Sequence, residues 1–191
     1  MGLLLAVLFS RGVTPAQGAS HARPPDVSLY DEPVRLVDDT GTQLELSSFQ
    51  GRQVLLTMFY TRCRSACPVT VRKLRQIEQA FADRGRPIDI VLVSYDSDFD
   101  HPKVLARYRD REKLPPGWRL LCGQPLQVER LAQHIGLWRY LDMGDHIFHS
   151  YRIVLLDEAG VVRKALDSDH NNVSSLFEGA GNDVEPAGAR P

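Results

Sequence analysis

Residues 53–68, QVLLTMFYTRCRSACP, decide the fold of this chain. The first half, 53–60, is an almost unbroken apolar run rich in β-forming residues, which is typical of a strand buried on both faces and hence of a parallel sheet. Beyond the two cysteines, apolar residues recur at helical spacing from Val71 to Phe81, and Gly85 ends the pattern. The cysteine pair is therefore predicted to lie where a buried strand feeds a long helix.

The rest of the chain alternates predicted strands and helices. A turn at 38–41 separates two short extended pieces. The later patterns predict strands at 88–94 and 118–122, helices at 102–111 and 128–135, and a closing hairpin of 152–156 with 161–166. This order is that of an α/β thioredoxin-like sandwich, with a central mixed β-sheet flanked by helices. In such a sheet, ligands gather at the carboxyl ends of the strands, and a helix amino terminus stabilises a thiolate.

The composition predicts one ordinary globular domain. Of the 191 residues, 43% are hydrophobic and 25% are charged, which argues against a disordered or fibrous chain. The net charge of −1 argues against binding to nucleic acid or to a bulk anionic surface. We expect a linker at 19–28, the domain at 29–178 and a flexible tail at 179–191.

The first 18 residues predict export. The apolar run at 3–9 is too short to span a bilayer, which takes roughly 20 residues, but it suits a secretory signal with cleavage after Gly18. The basic residues that usually precede such a run are missing, so a truncated membrane anchor is the alternative. We therefore expect a periplasmic or otherwise exported protein, with a tether to the inner membrane left open.

Cys63 and Cys67 are the residues best suited to chemistry. Their spacing of four places both sulfurs on one face of a helical turn. The pair can form a small-loop disulfide, or it can bind copper or zinc as two thiolates. Arg62 and Arg64 are expected to lower the pKa of Cys63. Cys122 is expected to pack as a small hydrophobic residue, with cross-linking in an oxidising compartment as the alternative.

Two thiolates leave a metal under-coordinated, so the histidines are candidates for a third ligand. His146 and His149 lie in a predicted loop, 144–150, which enters the strand at 152–156 and is expected to face the cysteine helix. Met143, beside this loop, is a weaker candidate. The remaining histidines are expected to be solvated: His21, His101, His134 and His170.

The acidic segment 96–100 imitates the start of a calcium loop. A calcium loop needs Gly at its sixth position and Glu at its twelfth, but His101 and Arg107 stand there. We interpret the segment as a solvated acidic loop. Met58, which could offer a thioether, is expected to be part of the core because it lies in the buried strand.

These features together resemble the Sco/SenC family over 34–166, most of the predicted domain. The matching motifs are Thr57-Met58-Phe59-Tyr60-Thr61-Arg62-Cys63-x-x-x-Cys67-Pro68, Val93-Ser94-Tyr95-Asp96 with Asp100, Trp118 with Gly123, and His149-Ser150 eight residues before Asp157. The resemblance implies a membrane-facing copper protein of thioredoxin fold that helps to assemble the dinuclear copper site of cytochrome c oxidase. It also implies a copper site of Cys63, Cys67 and His149, in which the cysteines cycle between dithiol and disulfide.

Two positions depart from the pattern of that family. Arg64 stands where many members have Pro, and Phe148 stands where many have Asp before the ligand histidine. Neither change removes a ligand. Because Asp145 precedes His146, His146 is a competing candidate, whereas the spacing to the later Leu-Asp pair favours His149.

Three functions follow from these residues. The leading one is a periplasmic copper metallochaperone, and not an enzyme, that serves the copper-site subunit of cytochrome c oxidase. The alternative is a thiol-disulfide oxidoreductase that reduces the copper-ligand cysteines of that subunit and needs a thiol-disulfide reductant of its own. A thiol peroxidase is third, because nothing in its chemistry requires His149. No proline lies between Pro125 and Pro186, so the cis-proline of thioredoxin-type oxidoreductases is missing, which favours metal binding.

Overall fold

A seven-stranded mixed sheet forms the centre of the molecule, in a computed structural model that describes residues 27–63, 66–137, 139–142, 147–149, 151–167 and 171–178. The strands are β1 (Arg35–Asp38), β2 (Gln43–Glu45), β3 (Val54–Phe59), β4 (Asp89–Ser94), β5 (Arg119–Gly123), β6 (Arg139–Asp142), β7 (Ile147–His149), β8 (Arg152–Leu156) and β9 (Val162–Asp167). The helices are α1 (Ala66–Ala82), α2 (Pro102–Glu112) and α3 (Pro125–His134), with 3-10 turns at Leu46–Phe49 and Val173–Leu176.

The strand order in the large sheet is β2-β1-β5-β4-β3-β8-β9, and β3, β4 and β5 run parallel to one another. Strand β3 lies inside the sheet between β4 and β8, and all six of its residues are buried, as its apolar sequence predicts. It pairs with β4 from Val54↔Asp89 to Phe59↔Ser94, and antiparallel with β8. The carboxyl ends of β3 and β4 therefore lie side by side.

Helices pack against the sheet. Right-handed crossovers from β3 to β4 and from β4 to β5 place α1 and α2 on the same face, and α3 packs against β5. Arg75 of α1 donates to the carbonyl oxygens of Glu112 and Lys113, at 3.2 and 2.7 Å, and so ties α1 to the end of α2. The predicted α/β sandwich with a mixed central sheet is confirmed.

The predicted loop at 144–150 is wrong in part. Residues 147–149 form β7, which pairs antiparallel with β6 and places His149 opposite Arg139. Strands of three and four residues are too short to show a period-two pattern, so the sequence gives no signal for this hairpin. Helix α3 also begins earlier than predicted, at Pro125.

The amino-terminal part of the domain packs against the closing hairpin. Ser28, the last residue of the predicted linker, forms a bridge with Val161, and Leu29 is buried. The predicted signal at 1–18, most of the linker and the predicted tail at 179–191 lie outside the described residues. Within the described ranges, no helix has both the length and the apolar character that crossing a membrane requires.

Candidate functional site

The two cysteines meet at the carboxyl end of β3. Cys63 lies in a turn after the strand, where its N–H donates to the carbonyl oxygen of Tyr60 at 3.2 Å. Cys67 is the second residue of α1, and its N–H donates to the sulfur of Cys63 at 3.3 Å. Both are free thiols, with 8% of Cys63 and 2% of Cys67 exposed to solvent. The structure thus brings the pair together at the junction of strand and helix.

The electrostatics of the pair favour a neutral Cys67. Its thiol donates to the carbonyl oxygen of Tyr60 at 3.7 Å. The hydrogen bond with the Cys63 side chain, followed by burial, raises the pKa of the Cys67 thiol well above its ordinary value. A metal that binds both sulfurs must therefore displace the proton of Cys67.

The guanidinium group of Arg62, the residue before Cys63, binds Asp96. Nε and Nη2 of Arg62 are 2.9 and 2.7 Å from one carboxylate oxygen of Asp96, and the group stacks on the ring of Phe99 at 4.5 Å from the ring centroid. Arg62 thus joins the cysteine turn to the loop that follows β4. Arg64 lies outside the described residues.

Asp100 holds the same turn from the interior. Its carboxylate accepts the N–H of Thr61 at 2.9 Å, the hydroxyl of Thr61, and the hydroxyl of Ser94 at 2.5 Å. Only 1% of Asp100 is exposed, and burial raises its pKa above the ordinary value, opposed by these hydrogen bonds. The interpretation of 96–100 as a solvated acidic loop is therefore wrong for Asp96 and Asp100, which are both buried.

The segment that carries His149 enters the sheet at the same end. The hydroxyl of Thr57, near the end of β3, donates to the carbonyl oxygen of Arg152, the first residue of β8, at 2.7 Å. Arg152 is the third residue after His149, so the two Cα atoms are at most roughly 10 Å apart. The backbone of His149 is thus kept near the end of the sheet from which the cysteine turn departs.

The side chains of the candidate third ligands lie outside what the structure describes. The side chain of His149 is not among the described atoms, and His146 and Met143 lie outside the described residues. Among the side chains that are described, no group of three or more His, Cys, Asp or Glu residues is arranged to hold a metal ion.

The other candidates take their expected places where they are described. Cys122 is buried in β5, donates to the carbonyl oxygen of Val37 at 3.5 Å, and has a pKa raised to about 11, mainly by burial. Met58 belongs to the core. His101 precedes α2 and is exposed, and His134 ends α3. His21 and His170 lie outside the described residues.

Comparison with known proteins places this geometry in a family. The model of the SCO1/SenC family matches residues 23–178. A Stutzerimonas stutzeri protein named for copper binding is 28% identical over 105 residues. The match covers 54% of this chain and only 50% of that protein. Peroxiredoxin Bcp of Escherichia coli is 28% identical over 144 residues, which cover 72% of this chain and 85% of that protein.

The fold also matches solved structures. Yeast Sco1 with copper bound superposes with a TM-score of 0.68 at 20% identity, covering 84% of this chain and 92% of that one. A likeness at this identity shows a common fold, and it confirms the predicted thioredoxin-like architecture.

Proposed function

Because the chain belongs to the SCO1/SenC family, we propose that it is a copper metallochaperone in which Cys63, Cys67 and His149 bind the ion. The cargo would be delivered to the dinuclear copper site of cytochrome c oxidase, whose assembly the resemblance to Sco/SenC proteins implies. Copper in the yeast Sco1 structure and copper binding in the name of the Stutzerimonas protein support this choice of metal.

The observation that carries the proposal is the dithiol at the end of β3. Cys63 lies in the turn after β3 and Cys67 in the first turn of α1, and the Cys67 N–H donates to the Cys63 sulfur at 3.3 Å. Thiolates are soft ligands that suit copper, and an imidazole complements them. Cys63 is the more exposed of the two, so a partner would reach its sulfur first and could take the ion by ligand exchange.

The alternative is reduction of the copper-ligand cysteines of the oxidase subunit. The same dithiol would transfer two electrons and two protons to a partner disulfide and become the Cys63–Cys67 disulfide. A separate thiol-disulfide reductant would then restore it. The contact between the two free thiols is compatible with this chemistry, so a variant is needed that separates the two activities.

A thiol peroxidase is favoured less, although the similarity to peroxiredoxin Bcp covers most of the chain. A peroxidatic cysteine needs a low pKa, and the raised pKa of Cys67 opposes that role for Cys67.

Replacement of His149 separates copper delivery from thiol exchange. His149→Ala removes the imidazole and keeps both sulfurs, so it should abolish stable copper(II) binding and oxidase assembly and leave the dithiol oxidisable. Cys63→Ser or Cys67→Ser should remove both properties. The measurements are oxidase activity in cells that carry each variant and copper(II) titration of the purified proteins.

Two further histidine variants are the controls. His134→Ala, at the exposed end of α3, should behave as the wild type. A fully active His149→Ala strain would contradict copper delivery, unless His146→Ala were the inactive one. In that case His146 is the ligand and the mechanism stands.

We also propose that residues 1–18 direct export to the periplasm, where the protein would meet the copper-site subunit of cytochrome c oxidase. Fractionation of cells that express the full chain, with and without 1–18, tests this. The full chain should be found in the periplasm or at the outer surface of the inner membrane, and the shortened chain in the cytoplasm. Equal distribution of the two chains would contradict the proposal.

A further inference from the structure

We infer that Asp100 is a positioning residue for the dithiol: it fixes the backbone turn that carries Cys63, and so sets the alignment of the Cys63 sulfur with α1. The inference rests on the proposed function in that this dithiol is the copper-binding pair. Asp100 lies 37 residues after Cys63 in the sequence, and hydrogen bonds with Thr61 join it to the turn that carries Cys63.

The carboxylate of Asp100 joins two strand ends to each other. Thr61, two residues before Cys63, gives it both the backbone N–H and the side-chain hydroxyl, and Ser94 at the end of β4 gives it a third hydrogen bond. The N–H of Asp100 donates in turn to the carbonyl oxygen of Asp96 at 2.7 Å. The turn after β3 is thereby bonded to the loop after β4.

Other residues fix the turn around Thr61 from the solvent side. Arg111 of α2 donates to the carbonyl oxygen of Thr61 at 3.1 Å, so that both the N–H and the carbonyl oxygen of Thr61 have fixed partners. Arg62 binds Asp96, a residue of the same loop as Asp100. Asp100 is the more buried of the two carboxylates, with 1% exposed against 7% for Asp96, and hydrogen bonds to a buried carboxylate are among the strong ones.

The fixed turn matters because the sulfur of Cys63 accepts the N–H of Cys67, and that alignment depends on where the turn places Cys63. The pair adopts this arrangement as free thiols. Loss of the Asp100 contacts should therefore destabilise the dithiol form relative to the disulfide form. In the disulfide form, the bond to Cys67 holds Cys63 in place without these contacts. Their loss should also weaken metal binding, because a site that must be reordered on binding has a lower affinity.

Two measurements on the purified full chain test the inference. The first is the thiol-disulfide equilibrium with glutathione: two glutathione thiols reduce the Cys63–Cys67 bond, two hydrogen atoms pass to the protein sulfurs, and glutathione disulfide forms. The second is copper(I) affinity, measured in competition with a chromophoric chelator. Asp100→Ala should lower both the equilibrium constant for reduction of the disulfide and the association constant for copper(I) at least tenfold. For the redox couple, tenfold is a shift of about 30 mV to more negative potential.

Conservative replacements separate the hydrogen bonds from the charge. In Asp100→Asn, the amide oxygen can still accept from the Thr61 N–H and the Ser94 hydroxyl, which share one carboxylate oxygen, and the amide nitrogen can donate to the rotatable Thr61 hydroxyl. Both constants should therefore stay within about threefold of the wild type. Asp98→Asn makes the same charge change at an exposed position of the same loop and should have no effect. If Asp100→Asn is as impaired as Asp100→Ala, the charge acts and the inference is wrong.

If Asp100→Ala does not fold, Thr61→Val tests the same inference. This change removes only the hydroxyl contact to Asp100 and should shift both constants in the same direction, by a smaller factor. Unchanged constants in the folded variants would overturn the inference and leave the proposed function intact. Conversely, a wild-type protein that binds no copper, together with an Asp100-dependent redox equilibrium, would overturn the function and retain the positioning role.

Discussion

At the scale of single residues, burial decides the chemistry of the third cysteine. Cys122 is buried in β5, and its pKa is raised from 9.0 to about 11, mainly by burial and further by the carboxylates of Asp100 and Asp38. Near neutral pH, Cys122 is thus a protonated core residue.

The raised pKa of Cys122 predicts a loss of stability in alkali. The folded protein binds the thiol proton more tightly than the unfolded chain does, so the contribution is complete below about pH 9 and is lost as the pH rises towards about 11. In a Cys63→Ser/Cys67→Ser background, the free energy of unfolding should fall between about pH 8 and about pH 10.5 more steeply with Cys122 than with Cys122→Ala. Urea unfolding measures this. Equal slopes for the two proteins would contradict the assignment.

Arg109 is a second residue whose contacts predict a measurable effect. Its guanidinium binds both carboxylate oxygens of Asp39, at 2.5 and 2.9 Å, and donates to the carbonyl oxygens of Pro115 and Trp118. Since Asp39 is largely buried, Arg109→Ala should lower the free energy of unfolding by about 3 kcal/mol. Arg107→Ala, an exposed position on the same helix, should change it by less than about 0.5 kcal/mol, and similar losses in the two variants would contradict the role of Arg109.

At the scale of elements, the closing hairpin of β8 and β9 depends on the glycine in its turn. Gly160 has a φ of +80°, and its N–H donates to the carbonyl oxygen of Asp157 at 2.9 Å. The ring of Tyr30 lies so close that an added Cβ would stand 2.6 Å from it. The turn therefore requires glycine both for its backbone conformation and for the contact with the amino-terminal segment.

Two glycine variants separate these requirements. Gly41 has a φ of +91° and nothing within 4 Å of a Cβ, so Gly41→Ala should cost only the backbone strain of about 1 kcal/mol. Gly160→Ala should cost a further 1–3 kcal/mol, roughly, because the ring of Tyr30 must move. Chemical denaturation of both proteins measures the difference, and equal losses would show that Tyr30 does not constrain the turn.

An element can be predicted from the sequence when its apolar pattern is long and when it does not depend on contacts between residues far apart in the sequence. The sequence predicts β3 and α1 because long apolar runs with a clear period leave few alternatives. It misses the hairpin of β6 and β7, whose strands are too short to carry a period. It misjudges Asp100 because acidic side chains are mostly exposed. The hydrogen bonds that offset its burial come from Thr61 and Ser94, which the sheet brings close.

At the scale of the whole molecule, the site is a product of sheet topology. Parallel β3 and β4 bring the cysteine turn and the Asp100 loop to one edge, and antiparallel β8 begins at that edge just after His149. Residues far apart in sequence thus meet at one end of the domain. The resemblance to a family predicts which residues belong to the candidate site. The contacts that position these residues cannot be predicted from the sequence, because they form only when the sheet has folded.

Copper should therefore stabilise the whole domain. A ligand that binds only the folded state raises the free energy of unfolding, by about 2.7 kcal/mol at a free concentration of 100 times its Kd. Copper should raise the melting temperature of the reduced wild type and of Cys122→Ala, but not that of Cys63→Ser. A similar rise in Cys63→Ser would place the metal elsewhere.

The most direct test of a copper site made by the Cys63–Cys67 dithiol is the copper content of the two redox forms of one protein. The purified chain, fully reduced or fully converted to the disulfide, is incubated with copper, separated from free metal and analysed for copper per chain. We predict one copper per chain in the dithiol form and far weaker retention in the disulfide form, because a disulfide offers no thiolate to the metal. Equal copper content in both forms would contradict the account.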